Sequence, residues 1–454
     1  MSALNPISES NIVSFFHDKN IFLTGGTGFV GKCLIEKLLR SCPGIKGIYV
    51  LVRQQKGLTP AERTEKLCAS RLFDTVRATN CDFTKIIHPI EGDLRSPNFG
   101  LSTHDEEMLI EKCHIVFHSA ATVRFDEPLK TALEINLLGV KKMVHLCSKM
   151  RSLQSFVHVS TAYSNCNRQC IDEIIYENPF EPEKLLSAAE WMDEDMLDLI
   201  TDRLLNKFPN TYAFTKGLAE TYLASHAKHL PLAIIRPSII GSTWREPIPG
   251  FVDNYMGPSG VLAAYLTGLL RVWFADTTVK PNIIPVDIVV NMMIAISWYT
   301  WQQTNANTHI SPSVFNCCAG DEEIVQSRPT SEQWLKIASE QVHSHSIGYQ
   351  CQFRWPRTTI TLNNFTRRLN TVKKLLNTTH FFTRNHWTFS NTQSRILRNH
   401  LRNNALDKEL FDFDINELDW PKYIRNHVLG MKQHLFQEDL EQMVIHYHQN
   451  RRVT

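Results

Sequence analysis

I-F-L-T-G-G-T-G-F-V-G, residues Ile21 to Gly31, is an apolar run that ends in glycines at positions 25, 28 and 31. Directly after it, Lys32 to Arg40 place Cys33, Leu34, Leu38 and Leu39 at helical spacing. The chain therefore goes strand, tight turn, helix. Gly25 permits the turn, Gly28 lets the backbone approach a pyrophosphate, and Gly31 lets the helix pack close to the strand, while N–H groups at the helix N-terminus hold the anion. Thr24, Gly25, Thr27, Gly28, Phe29, Val30 and Gly31 are the candidate contacts of a dinucleotide. A purely structural turn is the plainer alternative.

Further along, G-I-Y-V-L-V-R is a second strand ending at Arg53, where an adenosine ribose is read in folds of this kind. An Asp or Glu there would accept hydrogen bonds from two free ribose hydroxyls and repel a 2'-phosphate. Arg53, with Lys56 nearby, attracts one, so the electrostatics favour NADPH over NADH. A long amphipathic segment leads to I-I-H-P-I-E-G-D-L, whose short strand brings Asp93 and Leu94 to the adenine. In H-I-V-F-H-S-A-A the small residues Ala120 and Ala121 let the cofactor pass over the backbone, and Asn136 lies in the helix that follows. This alternation of strand and helix predicts an α/β fold, a Rossmann-like doubly wound parallel sheet.

Chemistry enters with the fifth strand, S-F-V-H-V-S-T-A-Y, which ends in the hydroxyls Ser160 and Thr161, at the end of the sheet where ligands bind. N-T-Y-A-F-T-K then sets Tyr212 and Lys216 four apart, on one helix face. A carbonyl that accepts hydride needs a proton at oxygen, and a free phenol with a pKa of about 10 exchanges one slowly at neutral pH. An ammonium about 4 Å away, at an effective dielectric near 20, would favour the phenolate by roughly 4 kcal/mol, about a thousandfold in acidity. Tyr212 is thus the expected acid and base, and Lys216 its activator and a hold on the nicotinamide ribose. Thr161 is expected to polarise the carbonyl, since its neighbour Ser160 points to the opposite face. L-A-I-I-R-P-S-I-I-G ends with Pro237 and Ser238, which close over the nicotinamide.

Composition excludes several other classes. With 454 residues, 43% hydrophobic and 21% charged, the chain can build two or more packed domains. A net charge of +2 gives no general reason to expect nucleic acid as a partner. Eleven cysteines without a regular framework read as reduced thiols of a cytosol-facing protein. M-S-A-L-N-P-I-S-E-S lacks a basic start and an apolar core, so no cleaved signal is expected. Val261 to Leu270 and Ile288 to Trp301 fall short of the roughly 20 apolar residues that span a bilayer, and are read as buried helices. The acidic run from Asp172 to Arg203 reads as a solvated helix. No histidine or cysteine set has metal-ligand spacing, so no metal is expected.

Several phrases together are specific: T-G-G-T-G-F-V-G, H-S-A-A-T-V-R-F-D-E, V-S-T-A-Y, Y-A-F-T-K, R-P-S-I-I-G, G-F-V-D-N-Y-M-G-P-S-G-V, I-I-P-V-D-I-V-V-N, H-W-T-F-S and F-D-F-D-I-N-E-L-D-W-P-K-Y. From about residue 15 to about residue 440 the chain resembles the alcohol-forming fatty acyl-CoA reductases of insects and other animals, extended short-chain dehydrogenases/reductases. The resemblance implies an NADPH-binding and catalytic domain over 15–340 and a mainly helical C-terminal reductase domain over 341–454. It implies reduction of a long-chain acyl-CoA to the primary alcohol through the aldehyde, by two hydride transfers from NADPH, with release of CoA. It also implies Gly25, Gly28 and Gly31 at the pyrophosphate, Arg53 at the 2'-phosphate, and Thr161, Tyr212 and Lys216 in catalysis.

Animal members often end in a hydrophobic anchor, whereas this chain ends in polar residues. Peripheral association with an endoplasmic reticulum or peroxisome membrane is left open by this, as is oligomeric state. From Val342 to Leu406 there is no Asp or Glu but ten Lys and Arg, a stretch that could attract the phosphates of CoA or an anionic membrane, or simply form a solvated basic face. A sugar-nucleotide epimerase or dehydratase would share the first half of this pattern, and a noncatalytic NADPH-binding scaffold would share the glycine turn.

Overall fold

The apolar runs that read as strands lie side by side in the structure, a computed structural model that describes residues 9–267, 269–270, 276–308, 312–319, 328–344 and 362–438. They are β1 (Asn20–Thr24), β2 (Gly47–Val52), β3 (Ile87–Glu91), β4 (Ile115–His118), β5 (Ser155–Val159), the two-residue β6 (Cys170–Ile171) and β7 (Leu232–Pro237). After these come β8 (Ile239–Gly241), β9 (Ile283–Pro285), β10 (Ser313–Cys317) and β11 (Thr388–Phe389). Seven strands make one sheet in the order β10-β7-β5-β4-β1-β2-β3. Every pairing in it is parallel.

Helices cover both faces, which is why the strands are almost continuously apolar rather than alternating. All residues of β1, β4, β5 and β7 are buried. Strand order reverses between β1 and β4, and the register sets Thr24 beside His118, and His118 beside His158. The carboxyl ends of β1, β4 and β5 therefore open onto one crevice, the position where sheets of this type bind ligands.

By internal packing the chain forms two units, each made of separate stretches. The first takes the described residues up to Ser238, those within Asp287–Gly320 and those within Trp387–Asp414. The second takes those within Ile239–Val286, within Asp321–His386 and from Ile415 onward. The described residues beyond 340 accordingly fall in both units.

In the first unit, β11 pairs with β6, and Trp387 Nε1 donates to the Cys166 carbonyl at 3.1 Å. The Tyr163 ring meets Trp387 and Phe389 edge to face at 5.4 and 5.6 Å. A segment remote in sequence thus braces the turn that follows Thr161. The second unit is mainly helical, with the helices Pro258–Leu266, Ser331–Ser344, Leu362–Thr379 and Trp420–Gly430 beside the β8–β9 pair. Trp334 packs edge to face on Trp420 and Tyr423, and the Tyr423 hydroxyl donates to the Ser242 carbonyl at 3.0 Å.

Of the two runs weighed as membrane segments, the first is buried helix only over Val261 to Ala264, in Pro258–Leu266, whereas the second is buried helix over Ile288 to Trp298, in Val286–Asn305. Asn291 sits in the second, donating to the Asp412 carbonyl at 2.8 Å. Among the described residues no helix is long and apolar enough to cross a membrane. The acidic run forms two helices, Pro182–Trp191 and Glu194–Leu205, not one. Asp193 separates them by capping the second, accepting from the Met196 N–H at 2.8 Å. Of the basic stretch, 345–361 lies outside the described residues. Further along it, Arg398 and Arg402 share the Asp414 carboxylate at 2.8 and 2.6 Å, which offsets one of those two charges inside the first unit.

Candidate active site

The glycine turn joins β1 to the helix Phe29–Ser41. Gly25 has φ +78°, and the Gly28 N–H closes the turn on the Gly25 carbonyl at 2.9 Å. A Cβ at Gly25 would lie 2.8 Å from the Ala120 nitrogen, so β1 and the end of β4 meet backbone to backbone. Thr24 ties the same two ends: its hydroxyl lies 2.8 Å from His118 Nδ1 and accepts from the Ala120 N–H at 3.2 Å. Gly28 is the N-cap, and no side chain caps the helix. Its first turn, Phe29 to Gly31, is presented to the crevice side of a bare backbone cap, which suits a diphosphate. The residues fit a dinucleotide on a second count. Ser238, at the end of β7, is buried with a hydroxyl that has no partner among the described protein groups, a donor such a cofactor could use.

Arg53, just past β2, is half exposed, with its guanidinium 4.0 Å from the Asp93 carboxylate; Arg95 stands at the same distance from Asp93. Asp93 is also held locally: its N–H donates to the Phe99 carbonyl at 2.8 Å and its carboxylate Oδ1 accepts the Arg95 N–H at 2.9 Å. Leu94 offers its carbonyl to Lys142 Nζ at 2.8 Å. A residue that the sequence reading passed over joins this group. Arg63, from the helix Pro60–Cys68, donates to the Arg53 carbonyl at 2.5 Å and to the Thr27 hydroxyl at 3.3 Å. Partial burial and the nearby Arg53 both lower its pKa, as expected of two guanidiniums facing one site. Arg63 falls in the stretch read only as amphipathic, and no local signal marks it.

Asn136 is buried in a local π-turn, Glu134–Leu138, of the kind that often marks functional sites. Its Oδ1 accepts from the Thr122 N–H at 3.0 Å, and its Nδ2 donates to the Thr122 carbonyl at 3.3 Å and to the Thr215 hydroxyl at 3.0 Å. The amide is engaged by protein, pinning the loop after Ala121 to the helix Thr211–His226.

That helix carries the proposed chemistry. Asn210 caps it, accepting from the Ala213 N–H at 2.8 Å. Tyr212, one turn before Lys216, stacks on Phe125 at 5.8 Å and keeps a partly accessible surface. The Thr161 hydroxyl is buried, donates to the Pro237 carbonyl at 3.4 Å and accepts from the Tyr163 N–H at 3.3 Å, and it lies near enough to the Tyr212 phenol to lower its pKa. Lys216 is buried and donates to the Val159 carbonyl at 2.7 Å. Thr161, Tyr212 and Lys216 are thus brought together at the carboxyl end of β5.

The electrostatics differ from the expectation that Lys216 makes the phenol acidic. Burial pushes Tyr212 up to about 12, with only the Thr161 hydrogen bond acting to lower it. The physical reason is direction: the ammonium is bonded to a strand carbonyl, and desolvation of the phenolate outweighs any help from it. Lys216 is itself pulled down to about 8 by burial, opposed by Glu220. His118 and His158, their rings tilted against each other at 5.4 Å, are held neutral by burial and by the lysine charge; His118 is pushed down to about 3. At neutral pH the site presents a protonated phenol beside a cationic amine, an arrangement that gives a proton rather than takes one. Among the described residues, no group of three His, Cys, Asp or Glu is placed to hold a metal ion.

Comparison with known proteins places these residues in context. A family model for NAD binding, described as male sterility protein, matches residues 23–293, and a second of the same description matches 356–438. Fatty acyl-CoA reductase 1 of Pongo abelii is 37% identical over 95% of this chain and 87% of its own length. Fatty acyl-CoA reductase 2 of Homo sapiens is 38% identical over the same shares. Among solved structures, the reductase domain of a non-ribosomal peptide synthetase from Mycobacterium tuberculosis aligns with TM-score 0.60 at 17% identity, covering 94% of this chain and 96% of that one, which establishes a shared fold.

Proposed function

From the premise that the chain belongs to the fatty acyl-CoA reductase family and is a nicotinamide-dependent oxidoreductase, we propose that it uses NADPH to reduce a long-chain acyl-CoA to the primary alcohol by way of the aldehyde. The observation that supports this most is the Thr161–Tyr212 hydroxyl pair with Lys216, set at the mouth of the crevice that begins at Gly25.

When bound, NADPH supplies the hydride. The chain supplies the rest. Gly25, Gly28 and the first turn of the helix Phe29–Ser41 hold the diphosphate, while Arg53 and Arg63 face the 2'-phosphate. Thr161 donates to the substrate carbonyl oxygen, and Tyr212 gives that oxygen its proton. In the first stage hydride adds to the thioester carbonyl and the oxygen takes a proton. The C–S bond then breaks, that proton leaves the oxygen and one proton ends on the CoA sulfur, so that thioester, NADPH and one proton give aldehyde, free CoA thiol and NADP+. In the second, aldehyde, NADPH and one proton give alcohol and NADP+. A phenol held protonated by burial suits both stages, because each consumes a proton.

The test is to incubate purified protein with NADPH and acyl-CoA esters of graded length and to identify products by gas chromatography. Two NADPH consumed per thioester, with long-chain alcohol formed, is the expected result; aldehyde alone would refute the second stage, and no NADPH oxidation would refute the proposal.

Two further outcomes are expected here. Arg63→Gln removes one charge-assisted contact to the 2'-phosphate, worth about 1.5–3 kcal/mol, so the KM for NADPH should rise roughly ten- to a hundredfold. The KM for NADH should stay within about threefold, since NADH has no 2'-phosphate for either arginine to hold. Equal loss for both cofactors would remove Arg63 from that role. The second outcome concerns pH. A positive charge on Lys216, one turn along the helix, favours release of the Tyr212 proton to the substrate, and its pKa is near 8, so kcat should hold through neutrality and fall as pH rises past about 8. A profile flat to pH 10 would contradict this.

A further inference from the structure

Three consecutive residues at the end of β5 are each gripped by a single helix. Lys216 Nζ donates to the Val159 carbonyl at 2.7 Å, the Ser160 hydroxyl donates to Glu220 Oε1 at 2.5 Å, and the Thr161 hydroxyl meets the phenol of Tyr212. Tyr212, Lys216 and Glu220 are spaced by four, so one face of the helix Thr211–His226 carries all three grips.

Glu220 does more than hold Ser160. It accepts from the Ser164 hydroxyl at 3.0 Å and the Asn165 amide at 3.4 Å, both in the turn just after Thr161. It also pairs with Arg236 on β7, whose Nε and Nη2 donate to it at 2.9 and 2.6 Å. Arg236 also donates through Nη1 to the Asp172 carbonyl at 2.9 Å and through Nη2 to the Ile174 carbonyl at 2.7 Å. Both side chains are at most 1% exposed. Ion pairs buried this deeply seldom out-stabilise apolar side chains of the same volume, so stability alone is a weak reason to have one here.

We propose that Glu220 is a positioning residue for the reduction: paired with Arg236, it sets the strand end that carries Thr161 against Tyr212 and holds the positive charge on Lys216. The proposal rests on the reading of Thr161, Tyr212 and Lys216 as the reacting group. Tyr212 and Glu220 flank Lys216 at four-residue spacing on its own helix; Glu220, His118 of β4 and His158 of β5 interact with its charge, and Arg236 of β7 lies behind Glu220. Burial keeps both histidines neutral, so neither adds a like charge beside the lysine. The Glu220 carboxylate is the group that opposes burial at the lysine, and removing it lets the amine lose its proton at lower pH.

The experiment compares wild type with Glu220→Gln, Glu220→Asp and the double variant Glu220→Met/Arg236→Met. The double variant leaves no charge buried and carries the test if the single glutamine variant aggregates. For each, thermal melting and NADPH affinity are measured, then kcat, acyl-CoA KM and the pH profile of kcat. The expected result is near-native melting and cofactor affinity for the double variant, kcat lowered about ten- to a hundredfold, KM within about threefold, and the alkaline fall of kcat moved at least about one pH unit lower. Glu220→Asp should restore the alkaline limb in part.

A folded double variant with wild-type kcat and an unmoved alkaline limb overturns the proposal. So does a kcat loss with an unmoved limb in a protein of lowered melting temperature, which is what a merely structural pair would give. Tyr212→Phe, assayed alongside, separates the two levels. If it stays active, the reading of the reacting group has failed; if it is dead while the double variant is normal, only the role of Glu220 has.

Discussion

Tyr212→Phe should lower kcat for acyl-CoA reduction by about a thousandfold, within the range that a positioned general acid supplies. The ring stays, with its stacking on Phe125 at 5.8 Å, so the helix and its packing are preserved. Only the hydroxyl goes, and with it the proton for the substrate oxygen. NADPH affinity should stay within about threefold, because the phosphate and ribose contacts proposed for the cofactor come mainly from other residues. Single-turnover oxidation of bound NADPH, followed by its absorbance, measures the loss, and cofactor fluorescence measures affinity. Activity above a tenth of wild type would mean that the proton comes from elsewhere. Thr161→Val serves as a companion, since it keeps the volume and removes the partner hydroxyl.

Gly31→Ala should be nearly as damaging, by a different route. Gly31 lies in the first turn of the helix that follows the glycine turn, and a Cβ there would overlap the Gly25 carbonyl and come within 2.7 Å of the Gly26 Cα. Backbone cannot rotate aside as a side chain can, so either the helix moves off β1 or the turn opens. Overpacking of this sort costs about 1–3 kcal/mol or more, and the melting temperature should fall by several degrees. Either movement breaks the diphosphate cradle, so NADPH affinity should drop at least about a hundredfold and the cofactor should no longer raise the melting temperature. Gly57→Ala is the control: its φ of +76° is strained for alanine, but nothing lies within 4 Å of the added carbon. It should cost about 1 kcal/mol and leave the cofactor alone. A Gly31→Ala protein that melts and binds NADPH like wild type would show that the close approach of helix and strand is not needed.

Much of the fold was legible because its signals are local. Each strand of the main sheet is a short apolar run, and β1 passes straight into glycines and a helix; the alternation then leads to a parallel sheet with few topologies to choose from. Tyr212 and Lys216 were legible by spacing, and Thr161 by its place at a strand end. Glu220 carried the same signal, four residues past Lys216, and Arg236 stands inside the phrase R-P-S-I-I-G; both were passed over because neither touches the reacting atoms. Arg63 had no signal at all. It reaches Arg53 and Thr27 only because a helix on another stretch of chain lies against the end of β2.

Periodicity, glycine spacing and the order of apolar runs determined, by themselves, that this chain builds a doubly wound sheet with a dinucleotide turn at its centre, since those features depend on neighbours within about a turn or a strand. Tertiary structure alone decided which way the long side chains point and how dry their surroundings are. Lys216 reaches the Val159 carbonyl rather than making Tyr212 acidic, Asn136 is held by Thr122 and Thr215, and residues 387–414 pack with the sheet. Acidity and charge pairing follow desolvation and the direction of a few flexible bonds, and neither is written in the spacing of residues along a chain.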